Sequence, residues 1–224
     1  TFSDKSVNSV TVELTSSLTN SDTDVDGYVI RGNGASTSCT GSSYVYTDSG
    51  TGTYIYKAAS SANSECDIMF FEWDVSSIPD SATILDVGVE YDIGFAADAP
   101  LLKWTSQEQS FTGANPYITS TDAWNDAHNN NGINRNGITY ASHQMALTTG
   151  MKDLSLDLGE VARDHVKAQL TAATSVNGVG DWFGMYSPFV TDGDHSGVLK
   201  RLSTENVELN VTYAMDNSAT SNSQ

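Results

Sequence analysis

Residues 68 to 95, IMFFEWDVSSIPDSATILDVGVEYDIGF, constrain the fold more than any other stretch. In the second half Leu85, Val87, Val89, Tyr91, Ile93 and Phe95 alternate with Asp86, Gly88, Glu90, Asp92 and Gly94. A period of two puts one face on a core and the other in water, so this half predicts a half-buried antiparallel strand. The first half is apolar on both parities, with Ile68 and Phe70 interleaved with Met69, Phe71 and Trp73, and predicts a central strand covered on both sides. Between them Ser76, Ser77, Ile78, Pro79, Asp80 and Ser81 are turn formers, and Pro79 has no N–H to give a ladder.

The rest of the chain supplies further strands. Val10, Val12 and Leu14 alternate with Thr11 and Glu13 behind a polar leader, residues 1 to 9. Two tyrosine-rich segments, SYVYT and TYIYK, flank Asp48, Ser49, Gly50, Thr51 and Gly52 and read as a hairpin. Leu101, Leu102 and Trp104 suggest a short strand; residues 115 to 137 are a long polar excursion. Leu154, Leu156 and Leu158 alternate before the one predicted helix, GEVARDHVKAQL, where Asp157 and Glu160 have capping-box spacing and Val161, His165 and Ala168 fall on one side. Trp182 to Tyr186 and Val207 to Tyr213 read as the last strands, and residues 214 to 224 as a polar tail. The expected fold is all-β, a jelly-roll-like antiparallel sandwich with one short helix, as a single domain over residues 10 to 213.

The segment FFEWDVSSIPDSATILDVGVEYDI resembles the disaggregatase-related (DNRLRE-type) repeat modules, in which an apolar strand ending in Asp runs into Ser-Ser-Ile-Pro and a second alternating strand. TDAWNDA, LSLDLGEVARDHVKAQL, DWFGMYSP and VELNVTY follow in the order the resemblance implies, so that it covers roughly residues 10 to 213. It implies a jelly-roll-like sandwich on secreted or surface-anchored prokaryotic proteins, often archaeal, some regarded as carbohydrate-binding modules. It carries no sugar-contacting motif over to this sequence.

Composition narrows the partners. With 28 acidic against 10 basic residues the net charge is −18, which argues against nucleic acid and anionic membrane surfaces. No run of 18 apolar residues occurs, so no membrane span is expected. The chain starts at Thr1 and is rich in Ser, Thr, Asn and Gly, in keeping with export to the cell surface or medium. Cys39 and Cys66 are the only cysteines and are expected to form a disulfide worth about 3 to 4 kcal/mol.

Candidate sites are few. Asp22, Asp24, Asp26 and Gly27 form DxDxDG, the opening of a calcium loop, but Asn33 stands where an EF-hand needs a bidentate Glu; calcium and a plain acidic turn both fit. His128, His143, His165 and His195 show no ligand spacing, and no nucleophile signature occurs, so a catalyst is not expected. Trp104 and Trp124 are the candidates for stacking on sugars, and Tyr44, Tyr46, Tyr54 and Tyr56 suit cross-strand packing better. Asn210 heads an Asn-Val-Thr glycosylation sequon within a strand. Two functions compete. One is a structural subunit whose copies assemble into a filament or lattice by strand addition, using Val10, Val12 and Leu14; the other is a carbohydrate-binding module that takes glycans.

Overall fold

The computed structural model describes residues 8–15, 25–32, 42–47, 53–57, 65–97, 102–107, 138–142, 146–171, 182–187 and 200–215. These form an antiparallel β-sandwich with one helix. The strands are β1 (Asn8–Thr15), β2 (Val25–Gly32), β3 (Ser42–Thr47), β4 (Thr53–Lys57), β5 (Glu65–Asp74), β6 (Thr83–Ala97), β7 (Lys103–Ser106), β8 (Thr139–Ser142), β9 (Leu154–Asp157), β10 (Trp182–Ser187) and β11 (Lys200–Met215); the helix is α1 (Gly159–Thr171). Hydrogen bonding runs in the order β8-β7-β10-β5-β4-β11-β6-β9, with β2 and then β3 branching from β5, and β1 from β11. No helix among the described residues is long and apolar enough to cross a membrane.

The central strand is as its composition requires. Met69, Phe71 and Trp73 point into the core, and Phe70 and Glu72, on the opposite parity, are buried too. Facing β5 across the sandwich, Val87, Val89, Tyr91 and Ile93 of β6 and Leu209 and Val211 of β11 are all fully buried. The turn between β5 and β6 closes one end: the Ser76 N–H donates to Asp74 Oδ1 (2.8 Å), Ile78 N–H to the Val75 carbonyl (2.9 Å) and Ala82 N–H to the Pro79 carbonyl (2.8 Å). Two tight bends drop the apolar side chains of Val75 and Ile78 into the core.

The strict alternation of β6 holds from Val87 to Val89, Tyr91 and Ile93 but fails at both ends, where Leu85 is 42% and Phe95 39% exposed. Register explains it. Asp86 faces Thr212 but Ile84 faces Tyr213, and Ile93 faces Thr204 but Phe95 faces Ser203, so one extra β6 residue is inserted at each end. An inserted residue flips the parity that follows, which turns Ile84 and Ala96 toward the core and Leu85 and Phe95 away from it.

A third irregularity lies on β11 between Glu205 and Glu208, where Asn206 adopts φ 50°. Asp92 holds it. Its carboxylate accepts from Asn206 Nδ2 (2.7 Å), Lys152 Nζ (2.9 Å) and the Asp153 N–H (2.9 Å), tying the bulge to the chain entering β9. Burial raises the Asp92 pKa, but the hydrogen bonds from Lys152, Asp153 and Asn206 outweigh it and hold the carboxyl below the ordinary range. Its folded value is the depressed one, so the stability it contributes is complete above the ordinary Asp value of about 3.9 and is lost as pH falls through the lowered value. Asp92→Asn is expected to flatten that acid limb in urea titrations between about pH 5 and 2; an unchanged limb would assign it to other carboxylates.

Two expectations need correcting. The tyrosine-rich strands are not a hairpin: β3 pairs with β2, whereas β4 pairs with β11 and touches β5. The five residues between them can span up to about 3.5 Å each, farther than the ~10 Å between packed sheets, so nothing forces the two strands together. The helix is also rotated from the expected face. Its buried stripe is Ala162, Val166 and Leu170, while Val161 and Ala168 are exposed. Asp157 Oδ1 accepts from the Gly159 N–H (2.7 Å), and Gly159, at φ 79°, makes the turn into the helix with Leu158 buried beside it. Lys167 donates to the Asp80 (2.6 Å) and Ala82 (2.8 Å) carbonyls and pins α1 to the β5–β6 turn.

The first strand joins its own sandwich. Val10, Val12 and Leu14 stand opposite Tyr213, Val211 and Leu209 of β11, all three of them buried. Directly opposed residues of an antiparallel pair share a face, which places the three apolar positions on the core side.

Candidate functional site

The chemistry-bearing side chains converge where β10 and β7 meet α1 and β8. All six residues of β10 are buried, on both parities. On the parity facing away from the central core, Glu72 of β5 and Gln107, just past β7, lie on either side of Gly184. Gln107 Nε2 reaches across Gly184 to donate to Glu72 Oε1, and both residues are buried. A larger residue there would have to displace its neighbours. A Cβ on residue 184 would stand 2.6 Å from the Trp182 ring and 2.8 Å from Gln107 Oε1, inside contact distance for both. Gly184→Ala is therefore expected to push Trp182 and Gln107 aside and cost about 1 to 3 kcal/mol in denaturant unfolding; unchanged stability would show that the two side chains move freely.

Beside this bridge opens a cleft of about 430 Å³, walled by Gln107, Tyr140, His165, Gln169, Trp182 and Phe183, among others. Tyr140 organises it. Its ring stacks on Phe183 (5.8 Å between centroids) and meets His165 edge-on (5.6 Å), and its hydroxyl lies 2.6 Å from His165 Nδ1. Burial pushes the His165 pKa down, with Asp164 partly opposing it, so the imidazole is neutral near pH 7. A neutral imidazole bonded to a phenol through one nitrogen retains its second nitrogen for another partner. The Ser106 hydroxyl accepts the Ile138 N–H (3.1 Å) and fixes the start of β8 on the rim. Trp182 is 6% exposed, and its indole N–H, buried, has no partner among the described residues.

The cleft connects to the core through aromatic contacts. Trp73 stacks on Phe183 (6.4 Å) and Phe71 (6.1 Å), Phe71 meets Trp104 (5.6 Å), and Trp104 meets Tyr91 (5.1 Å). Through Phe183 these rings back Tyr140 on the wall of the cleft.

Those sequence-derived candidates that lie among the described residues are not in this cleft. Trp104 is fully buried between Phe71 and Tyr91 and offers no face to a sugar, which corrects its reading as a stacking platform. Trp124 lies outside the described residues, as do Asp22, Asp24 and Cys39. Asp26 and Gly27 belong to β2, in ladder with Phe71 and Phe70, so they continue a strand where a calcium loop would bend. Among the described residues no three His, Cys, Asp or Glu side chains converge as a metal site. Cys66 stands in β5 opposite Arg31 and Lys57. Asn210 sits in the middle of β11, opposite Glu13 and Gly88, with Nδ2 donating to Glu90 Oε2 (3.3 Å); a glycan on that nitrogen would displace this bond.

The residues that do converge were not singled out as a site. His165 shares one side of the helix with Val161 and Ala168 and shows no ligand spacing, and Tyr140, Gln107 and Trp182 carry no motif. The one usable signal was β10 itself, apolar on both parities with a glycine at its centre. Comparisons with protein-family models, curated proteins and solved structures returned no match.

Proposed function

We propose that this protein is a non-catalytic structural subunit of an extracellular surface assembly, whose copies join when β1 of one copy occupies the β11 edge of the next. The observation that carries the reading is how β1 is attached. It is held by a single eight-residue ladder along the second half of β11, while β4 fills the same edge of β11 along its first half. Among the described residues no strand pairs with the other edge of β1. Such a slot accepts β1 from a second copy in the same register, with the same apolar positions over Leu209, Val211 and Tyr213.

The charge supports this mode of joining. At −18 the copies repel one another at long range, so cohesion has to come from strand pairing and apolar burial at short range, and it strengthens as salt screens the repulsion. A surface location follows the family resemblance and the polar composition. The test is a competition: a synthetic peptide of residues 1 to 15, added in excess to the full chain, is expected to occupy the β11 slot and shorten or disperse the polymers seen by electron microscopy. Polymers indifferent to the peptide would rule out strand exchange as the joint.

A further inference from the structure

Building on the strand-exchange assembly, we infer that copies stack head to tail, the sandwich end that carries Arg31, Lys57, Lys200 and Arg201 receiving the acidic opposite end of the next copy. Strand direction is the first support. β11 runs from Lys200 at one end to Met215 at the other, and β1, antiparallel to it, runs from Asn8 opposite Met215 to Thr15 opposite Glu208. A β1 supplied by a neighbour in the same register therefore leaves its host heading for the Lys200 end. The donor's next strand, β2, starts at Val25 opposite Glu72, toward the Asp74 end of β5, whereas Cys66 at the other end of β5 is in row with Lys57 and Lys200. A donor seated beyond the host's Lys200 end meets both demands: its Val25 end faces the host and the chain passes across without reversing. The reach suffices. Residues 16–24 can span up to about 32 Å, against about 27 Å for the eight residues of β11 from Glu208 back to Lys200.

Charge favours the same arrangement. Arg31, Cys66, Lys57 and Lys200 stand in one register row across β2, β5, β4 and β11, and Arg201 follows, opposite Tyr56 of β4 and Ala97 of β6. Four of the ten basic residues thus collect at this end. The segments joining β2 to β3 and β4 to β5, residues 33–41 and 58–64, hold no charged residue. The acids of this end are Glu65 and Asp67 of β5, with Asp98, Asp192 and Asp194 in the other adjoining segments. The opposite end is acidic. Asp80 in the β5–β6 turn, Asp86 near the start of β6, Asp157 at the end of β9, and Glu160 and Asp164 on α1 are exposed, while Lys167 is committed to the Asp80 and Ala82 carbonyls. Pairing unlike ends lowers the repulsion that like ends of a −18 chain would meet, and it repeats from copy to copy without closing, as a filament requires.

The test uses two full-length variants: Lys200→Glu with Arg201→Glu, which makes both ends acidic, and Asp80→Lys with Asp86→Lys, which puts cations at both. Each alone is expected to raise the concentration at which polymers form, read by sedimentation and negative-stain microscopy, by about tenfold or more. An equimolar mixture, in which unlike ends match again, is expected to return it to within about threefold of the native value. Mixing cannot rescue a chain that has failed to fold, so recovery separates docking from a structural defect. Either variant polymerising alone as the native chain does, or a mixture no better than its parts, would overturn head-to-tail docking; strand exchange would still stand if the peptide of residues 1 to 15 disperses native polymers. A native chain that stays monomeric at every concentration would overturn both.

Discussion

Replacing Val10 and Val12 together by Asp is expected to abolish ordered polymers and leave a soluble, folded or marginally folded monomer. Val12 is near the middle of the β1 ladder, opposite Val211, which has no exposed surface, and Val10 is opposite Tyr213, which is 7% exposed. A carboxylate on either position must enter the core side without a partner or keep the strand from docking, and the second is the cheaper course. Because a neighbour's β1 would use the same register, the substitution removes docking within the chain and between chains alike. Thr11→Asp is the control. It stands on the opposite parity, facing Thr212, and is expected to leave assembly intact apart from a higher salt requirement. Sedimentation and negative-stain microscopy read both outcomes. Ordered polymers formed by the Val10/Val12 variant would sink the strand-exchange reading.

Trp104→Ala is expected to cost about 3 to 5 kcal/mol of stability, the range for removing a buried Trp from a packed core. Its ring is fully buried and bridges β7 to β5 and β6 through Phe71 and Tyr91. For a chain of this size the loss corresponds to a fall in Tm of about 6 to 20 °C. Trp104→Phe keeps most of the buried surface and is expected to be milder, because the indole N–H has no partner among the described residues and its loss strands no hydrogen bond. The pair separates two roles. A sugar-stacking Trp104 would lose binding with little change in Tm, whereas the structural one loses Tm first.

The residues themselves determined where local chemistry leaves one choice. The double-parity apolar run of β5 had to be buried on both faces. Val87 to Ile93 had to alternate, and Pro79 with its neighbours had to break the chain, since each depends on a side-chain period or a missing N–H within a few residues. Gly159 opened the helix in the same local way, although its positive φ was not legible. What tertiary structure decided was pairing. The bulges that turn Leu85 and Phe95 outward exist because β6 is matched against β11, more than a hundred residues away. The separation of β3 from β4 likewise follows from the partners each finds elsewhere. The cleft is the extreme case. Gln107, Tyr140, His165 and Trp182 come from four distant segments, and none carries a signature, because what brings them together is the packing of α1 and β8 beside β10, which no short window of sequence contains.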